Sequence, residues 1–191
     1  FGSRHTGKLT NIKKQRKKFP KVVEEVVRVS DVILEVLDAR FIEETRNLAL
    51  EEHILQSGKK IIYVLNKADL VNKRDIEKSL SIKPYVFISC TKRQGSVKLR
   101  GMIKKIVRSI DLPENKERAQ VGIIGYPNTG KSSLLNFLTG KTAAKTGNEA
   151  GFTKGMQKVR LTKDILILDT PGVIAEEDYS MSDKSKIAKH T

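Results

Sequence analysis

The sequence predicts an α/β fold: three layers built on a mostly parallel sheet with one antiparallel edge strand. Five short apolar runs rich in β-branched residues recur along the chain, segments of helical spacing lie between them, and each run gives way at once to polar residues or glycine. Runs this short and continuous suit strands buried on both faces, as in parallel sheets covered by helices. At 191 residues the chain can bury one such core with short appendages, so a single domain is expected.

Taken in order, the predicted strands occupy residues 32–37, 61–65, 85–88, 121–124 and 165–168. Between the first two, residues 43–56 place Leu48, Ala49, Glu52 and Leu55 at helical spacing and stop at Ser57-Gly58. Residues 98–110 carry Met102, Ile103, Ile106, Val107 and Ile110 in the same way, and a further helix is expected to start near Lys131. Strands alternating with helices imply a doubly wound sheet. Residues 156–161 alternate as a strand does and join 165–168 through a tight connection, which predicts an antiparallel pair at one edge.

The segments that follow the strands are Asp38-Ala39-Arg40, Asn66-Lys67-Ala68-Asp69, Ser89-Cys90-Thr91, the loop 125–132 and Asp169-Thr170-Pro171-Gly172. Ligands of open α/β sheets bind outside the carboxyl ends of the strands, so all five segments are expected on one rim.

Gly125-Tyr126-Pro127-Asn128-Thr129-Gly130-Lys131-Ser132 fits Gly-x-x-x-x-Gly-Lys-Ser/Thr. In that pattern backbone amides cradle nucleotide phosphates, with the dipole of the following helix behind them. Gly125 and Gly130 admit backbone conformations that a β-carbon would strain. Lys131 should reach the β- and γ-phosphates, and the Ser132 hydroxyl should ligate Mg2+. Pro127, Asn128, Thr129 and Ser133 belong to the same candidate cradle. For this motif alone, the plain alternative is an ordinary strand-to-helix turn.

A carboxylate at Asp69 can accept both hydrogens that guanine offers from N1 and its exocyclic amine, a pair that adenine lacks. An ATP-using enzyme is disfavoured on that ground. Lys67 should lay its stem along the base plane, and Asn66 should tie this motif back to the phosphate loop. Ser89 and Cys90 stand where a backbone amide would meet guanine O6, although by itself the segment reads as a loop. Asp169 should hold Mg2+ through water, and the Gly172 amide should sense the γ-phosphate. Thr153 is the candidate switch threonine that completes the magnesium shell, with a plain surface threonine as the alternative.

The base motif at 66–69 precedes the phosphate loop at 125–132, and Asp169-Thr170-Pro171-Gly172 follows both. In this rotated order the chain resembles the circularly permuted GTPases of the YlqF/YawG group, which are ribosome-assembly factors, from about Phe19 to Gly172. Asp38-Ala39-Arg40 with Arg46-Asn47, and Ala144-Lys145-Thr146-Gly147, are similar to segments typical of that group. The resemblance implies a P-loop NTPase fold in circularly permuted GTPase topology, with GTP and GDP as ligands and Mg2+ held by Ser132, Thr153 and Asp169. It also implies slow hydrolysis of GTP to GDP and phosphate, with the ribosomal large subunit or its precursor, and its rRNA, as partners. Asn128 stands where similar GTPases hold K+ between the phosphates, so stimulation by K+ is implied alongside stimulation by ribosomal particles. The candidate catalytic residues are then Lys131, Thr153, Gly172 and Asn128.

Val173 occupies the place where Ras-like GTPases carry the Gln that orients the attacking water, and an apolar side chain cannot do this. A guanine-nucleotide-gated RNA-binding module with negligible catalysis therefore stays open as an alternative. Ile42 and Ala150 replace prolines common in the group. Lys21-Val22 follows Phe19-Pro20 where bacterial YlqF-like members carry a histidine suspected of catalysis, so a histidine mechanism has no support and His5, His53 and His190 receive no role. The C-terminal RNA-binding extension of most members is expected to be absent, truncated or reduced to the tail.

Lys and Arg outnumber Asp and Glu by 37 to 22, a net charge of +15, which favours a polyanionic partner through counterion release. Residues 1–18 form a basic N-terminal tail with Lys8, Lys13, Lys14, Arg16, Lys17 and Lys18 and no carboxylate, ahead of a GTPase domain over 19–191. Such a block is either solvated or in contact with rRNA phosphates. Cys90 is the only cysteine, which excludes an intramolecular disulfide and suits a reducing compartment. No apolar run is long enough to span a membrane, so a cytoplasmic location is expected, and Phe1 in place of Met suits a fragment of a longer chain.

Overall fold

The structure, a computed structural model, describes residues 20–140, 145–146 and 157–169. Helix α1 (Lys21–Val29) leads into strand β1 (Val32–Asp38), and α2 (Ile42–Thr45) and α3 (Leu48–Gln56) connect it to β2 (Lys60–Asn66). A 3-10 turn (Ala68–Leu70), α4 (Lys73–Ser79), β3 (Tyr85–Phe87), α5 (Ser96–Arg108), β4 (Ala119–Ile124) and α6 (Lys131–Thr139) follow. The chain continues through β5 (Lys145–Thr146), β6 (Gln157–Thr162) and β7 (Ile165–Asp169).

All these strands join one sheet in the order β3-β2-β1-β4-β7-β6-β5. β1 pairs in parallel with β2 and β4, β2 with β3, and β4 with β7. Five strands therefore run the same way and end on one rim, as the sequence pattern predicts.

The central strand explains the three layers. Every residue of β1 is buried. Because successive side chains point to opposite faces, Ile33 and Leu37 pack with Val23, Val26 and Val27 of α1 and with Leu50 and Ile54 of α3. Val32, Leu34 and Val36 pack on the other side with Leu99 and Ile103 of α5 and Leu134 and Leu138 of α6. A strand with two buried faces has no place for the apolar-polar alternation of a one-sided sheet, which is why its sequence reads as one continuous apolar run.

β6 pairs antiparallel with β7, as expected, with a register irregularity between Arg160 and Thr162. It is not the outermost strand, however, since the two-residue β5 pairs antiparallel with β6 and takes the edge. The segment 43–56 also departs from its expectation of one helix. The chain breaks at Arg46-Asn47, where Arg46 is extended and the Asn47 side chain caps α3 by accepting from the Leu50 amide at 3.2 Å. A buried polar cluster fixes that break. The Asn47 amide donates to Glu35 Oε1 at 3.2 Å, Arg46 donates to both oxygens of Glu51 at 2.9 and 2.7 Å, and the Tyr63 hydroxyl donates to Glu51 Oε2 at 2.8 Å. Burial, reinforced by the neighbouring Glu51 carboxylate, pushes the Glu35 carboxyl above its ordinary range.

The predicted helix 98–110 is shifted to Ser96–Arg108, entered through Gly95 in the left-handed region at φ 89°. Two helices had no counterpart in the sequence reading. α1 is rich in β-branched valine, which blurs its period, but Val23, Val26 and Val27 form one buried stripe with Glu25 and Arg28 outside it. α4 buries none of its residues, so it offers almost no apolar pattern to read.

The contact of α1 with the sheet gives a direct test. A β-carbon on Gly122 of β4 would stand 2.3 Å from Ser30 Oγ and 2.6 Å from Val26 Cγ1. Gly122→Val should therefore lift α1 and lower the unfolding free energy by about 1–3 kcal/mol, read as a lower urea midpoint. An unchanged midpoint would show that α1 does not pack as described.

Candidate functional site

A cleft of about 610 Å³ opens on the rim, between the Asn66-Lys67-Ala68-Asp69 turn, Cys90 and Thr91 on one side and Asn128, Gly130, Lys131, Ser132 and Ser133 on the other. Two features shape the first wall. Lys67 takes the left-handed conformation at φ 60°, which turns the chain sharply out of β2. The Ala68 amide then donates to the Ile88 carbonyl at 3.0 Å, hooking the turn to the end of β3.

The second wall, the loop 125–132, is tied to the first by Asn66. Its side-chain amide donates to the Thr129 carbonyl at 2.9 Å, joining the base motif to the phosphate loop as the sequence reading expects. The fit is close, because a β-carbon on Gly130 would come within 2.2 Å of Asn66 Nδ2. Gly125 is equally constrained, with φ 147° and the Val36 carbonyl 2.5 Å from where a β-carbon would lie. Thr129 is buried, and its hydroxyl donates to the Tyr126 carbonyl at 2.9 Å, closing the loop on itself. Pro127 is half-buried, whereas Asn128, at φ 63°, and Ser132 and Ser133 in the first turn of α6 are exposed. Lys131 donates to the Tyr126 carbonyl at 2.6 Å, and burial lowers its ammonium pKa to about 8. The loop therefore wraps a lysine whose positive charge is poorly solvated, and a neighbouring anion would stabilise it.

Asp69 presents an exposed carboxylate. The Ser89 hydroxyl donates to Asp69 Oδ1 at 2.5 Å, and this bond holds the carboxyl below its ordinary range, so it is an ionised acceptor at neutral pH. Ser89 itself is buried, and its oxygen also accepts from the Lys92 amide at 3.0 Å. Its side chain thus orients Asp69, a contact that the sequence reading missed. The Cys90 thiol faces the cleft, and burial together with the Asp69 charge raises it to about 11, so it stays protonated at neutral pH.

Asp38-Ala39-Arg40, for which the sequence offered no role, supports the base motif from below. The buried Asp38 carboxylate accepts from Arg40 Nε at 3.0 Å and Nη2 at 2.8 Å, and lies 2.8 Å from Lys67 Nζ. Asp38 and Asn66 are register partners at the ends of β1 and β2, and the Ala39 amide donates to the Asn66 carbonyl at 2.8 Å. The available signal was an Asp at the end of a strand next to the one that carries Lys67.

Asp169 ends β7, the strand beside β4, so the backbone brings it to the same rim as the phosphate loop. Thr153, Gly172, Val173 and the basic tail 1–18 lie outside the described residues. His53 is exposed on α3 and does not line the cleft. No helix among the described residues is long and apolar enough to cross a membrane.

Burial would raise the Asp38 carboxyl, but the Arg40 and Lys67 cations bonded to it outweigh that effect and bring it to about 2, from an ordinary 3.8. A depressed carboxyl contributes stability that is complete above the unfolded value and is lost as pH falls through the folded one. The stability difference between the wild type and Asp38→Asn should therefore be full above pH 3.8 and close toward pH 2, as followed by urea midpoints across that range. A difference independent of pH would show that the charge of Asp38 does not hold Lys67.

Comparison with known proteins agrees with this arrangement. Residues 120–191 match the family model described as 50S ribosome-binding GTPase. The chain is 49% identical over 180 residues to the GTP-binding protein MJ1464 of Methanocaldococcus jannaschii, covering 91% of this chain and 47% of that protein. It is 35% identical over 185 residues to the nuclear GTP-binding protein NUG1 of Saccharomyces cerevisiae, covering 86% of this chain and 36% of NUG1. The chain thus spans less than half the length of either relative. Among solved structures, GNP-bound YlqF from T. maritima superposes with a TM-score of 0.55 at 28% identity, over 83% of this chain and 59% of that one. With its base motif ahead of its phosphate loop and both on one cleft, the chain belongs to the circularly permuted, YlqF-like family of GTPases.

Proposed function

We propose that this protein is a guanine-nucleotide switch that binds GTP, hydrolyses it slowly, and acts in assembly of the ribosomal large subunit in the cytoplasm. The hydrogen bond from Asn66 to the Thr129 carbonyl carries the reading, because it sets a guanine acceptor and a phosphate cradle on one cleft. Asp69, ionised and steadied by Ser89, accepts from guanine N1 and the exocyclic amine. Lys67, anchored on Asp38, lies beside the base, and Cys90 borders the site. The amides of the loop and the Lys131 ammonium hold the β- and γ-phosphates, where charge is gathered in the transition state.

Among the described residues no group of three or more His, Cys, Asp or Glu could hold a metal by itself. A hydroxyl at Ser132 and a carboxylate at Asp169, with phosphate oxygens, would offer the hard oxygen ligands that suit Mg2+. Thr153 would complete that set. Mg2+ held by these residues would supply charge neutralisation to the phosphates. Water would attack the γ-phosphorus as its bond to the β–γ bridging oxygen breaks, so that the oxygen departs on GDP and the water is incorporated into phosphate with release of a proton. Gly172 is the proposed γ-phosphate sensor, through which the protein would distinguish GTP from GDP. Asn128 would hold K+ against the phosphates, a role that its exposure at the cleft supports.

The family description of a 50S ribosome-binding GTPase and the +15 net charge support a large-subunit precursor and its rRNA as partner, with the basic tail 1–18 ahead of the GTPase domain contacting phosphates. Val173 in place of a water-orienting Gln is compatible with slow hydrolysis and equally with a second reading, a guanine-nucleotide-gated RNA-binding module with negligible catalysis.

Asp69→Asn should weaken GTP binding by at least about 100-fold and transfer preference to the xanthosine nucleotide, measured by competition against a fluorescent nucleotide. Unchanged GTP affinity in that variant would remove the base-recognition claim. GTP turnover should rise with added large subunits, and the single-turnover rate should be higher in K+ than in Na+. No turnover under any of these conditions would select the module, and equal rates in the two salts would remove the role of Asn128.

A further inference from the structure

We propose that the outward face of α5, extended by Lys92 and Arg93 before it, is a docking surface for the phosphate backbone of double-helical RNA. Between Glu77 and Asp111 the sequence has no carboxylate. Within that stretch α5 turns Leu99 and Ile103 into the core, with Met102, Ile106 and Val107 packed beside them, so its opposite face is fixed outward. That face carries Lys98, Lys104, Lys105 and Arg108, all exposed. None of the four forms an ion pair among the described residues, whereas Arg28, Lys78 and Lys116 elsewhere each have a carboxylate within 3.0 Å. Four unpaired cations on one rigid element repel each other, and a polyanion relieves that repulsion while releasing its own counterions.

The chemistry of the surface selects among polyanions. Residues 88–118 contain no aromatic side chain, so the stacking platform required for unpaired bases is missing. Val97 is the one large apolar residue exposed on α5, which is too little to enter a lipid surface. Gly101 lies between the cations, with nothing within 4 Å of where its β-carbon would stand. Glycine inside a helix is unfavourable relative to alanine, and here it leaves a flat strip on which a backbone can approach closely. At 13 residues the helix is about 20 Å long, enough to follow several successive phosphates across the shallow minor groove of a duplex.

The same element is tied to the nucleotide cleft at both walls. Ser89 and Gln94 exchange backbone hydrogen bonds at 3.1 and 2.9 Å, and a β-carbon on Gly95 would strike the Phe87 carbonyl at 2.5 Å, so the loop bearing the Asp69 contact leads into α5 without slack. Arg100 donates to the Leu138 carbonyl in the last turn of the phosphate-loop helix. The proposal deepens the reading of an rRNA partner and rests on that reading only for the source of the duplex.

The test uses the full chain and a short labelled RNA duplex followed by fluorescence anisotropy over a salt series. A variant carrying Lys98→Gln, Lys104→Gln, Lys105→Gln and Arg108→Gln is compared with one carrying Lys60→Gln, Lys83→Gln, Arg160→Gln and Lys163→Gln, which removes equal charge elsewhere. The first should lose duplex affinity on the order of 100-fold at moderate salt, with a salt slope shallower by about 3, and the second should lose only a small part of this. Binding of a fluorescent GDP, measured separately, should be alike in both. If GDP failed to bind the wild type, the nucleotide reading would fall while the duplex comparison would still decide this proposal. Wild-type duplex affinity in the α5 variant, equal losses in both variants, or displacement of the duplex by phosphatidylserine vesicles would each overturn it.

Discussion

The hydrogen bond from Asn66 Nδ2 to the Thr129 carbonyl joins segments 63 residues apart, and the identity of the site depends on it. Both groups are buried. A buried amide left without its partner carries a desolvation penalty of about 1–3 kcal/mol, so the bond favours one arrangement of the two loops strongly. It also explains the glycine at position 130, since any β-carbon there would occupy the space of the Asn66 amide. A short polar contact thereby converts a rotated order of motifs into a continuous cleft.

Around that bond the structure arranges successive layers of support. Asp38 holds Lys67, Ser89 holds Asp69, and the Tyr126 carbonyl holds both the Thr129 hydroxyl and the Lys131 ammonium. Each contact restrains a polar side chain at or beneath the cleft, which would lower the reorganisation left for ligand binding. The parallel pairing of β1 with β2 and β4 is the mechanical basis, because it aligns Asp38 with Asn66 and sets the phosphate loop on the neighbouring strand.

The sheet was legible in the sequence wherever strands are buried on both faces, as at β1, β2 and β4, because such strands leave an unbroken apolar run. The phosphate loop and Asn66-Lys67-Ala68-Asp69 were legible because their chemistry needs particular residue types at fixed spacing. The break at Arg46-Asn47 was not, since it is set by Glu35 from a different strand and by Glu51 and Tyr63 acting together. The contacts of Asp38 and Ser89 escaped for a related reason. Their partners, Lys67 and Asp69, lie 29 and 20 residues away, and no local period or spacing connects them. β5 lies outside any readable pattern because two residues are too few to show alternation.

The proposed function requires that segments distant in number surround one guanosine nucleotide. A crystal structure of the protein with GDP tests it most directly. The guanine edge is expected on the Asp69 carboxylate and the β-phosphate among the amides of Gly125 to Lys131 of the same molecule. Phosphates bound in that loop with the base turned away from Asp69, or a nucleotide seated on another face, would contradict it.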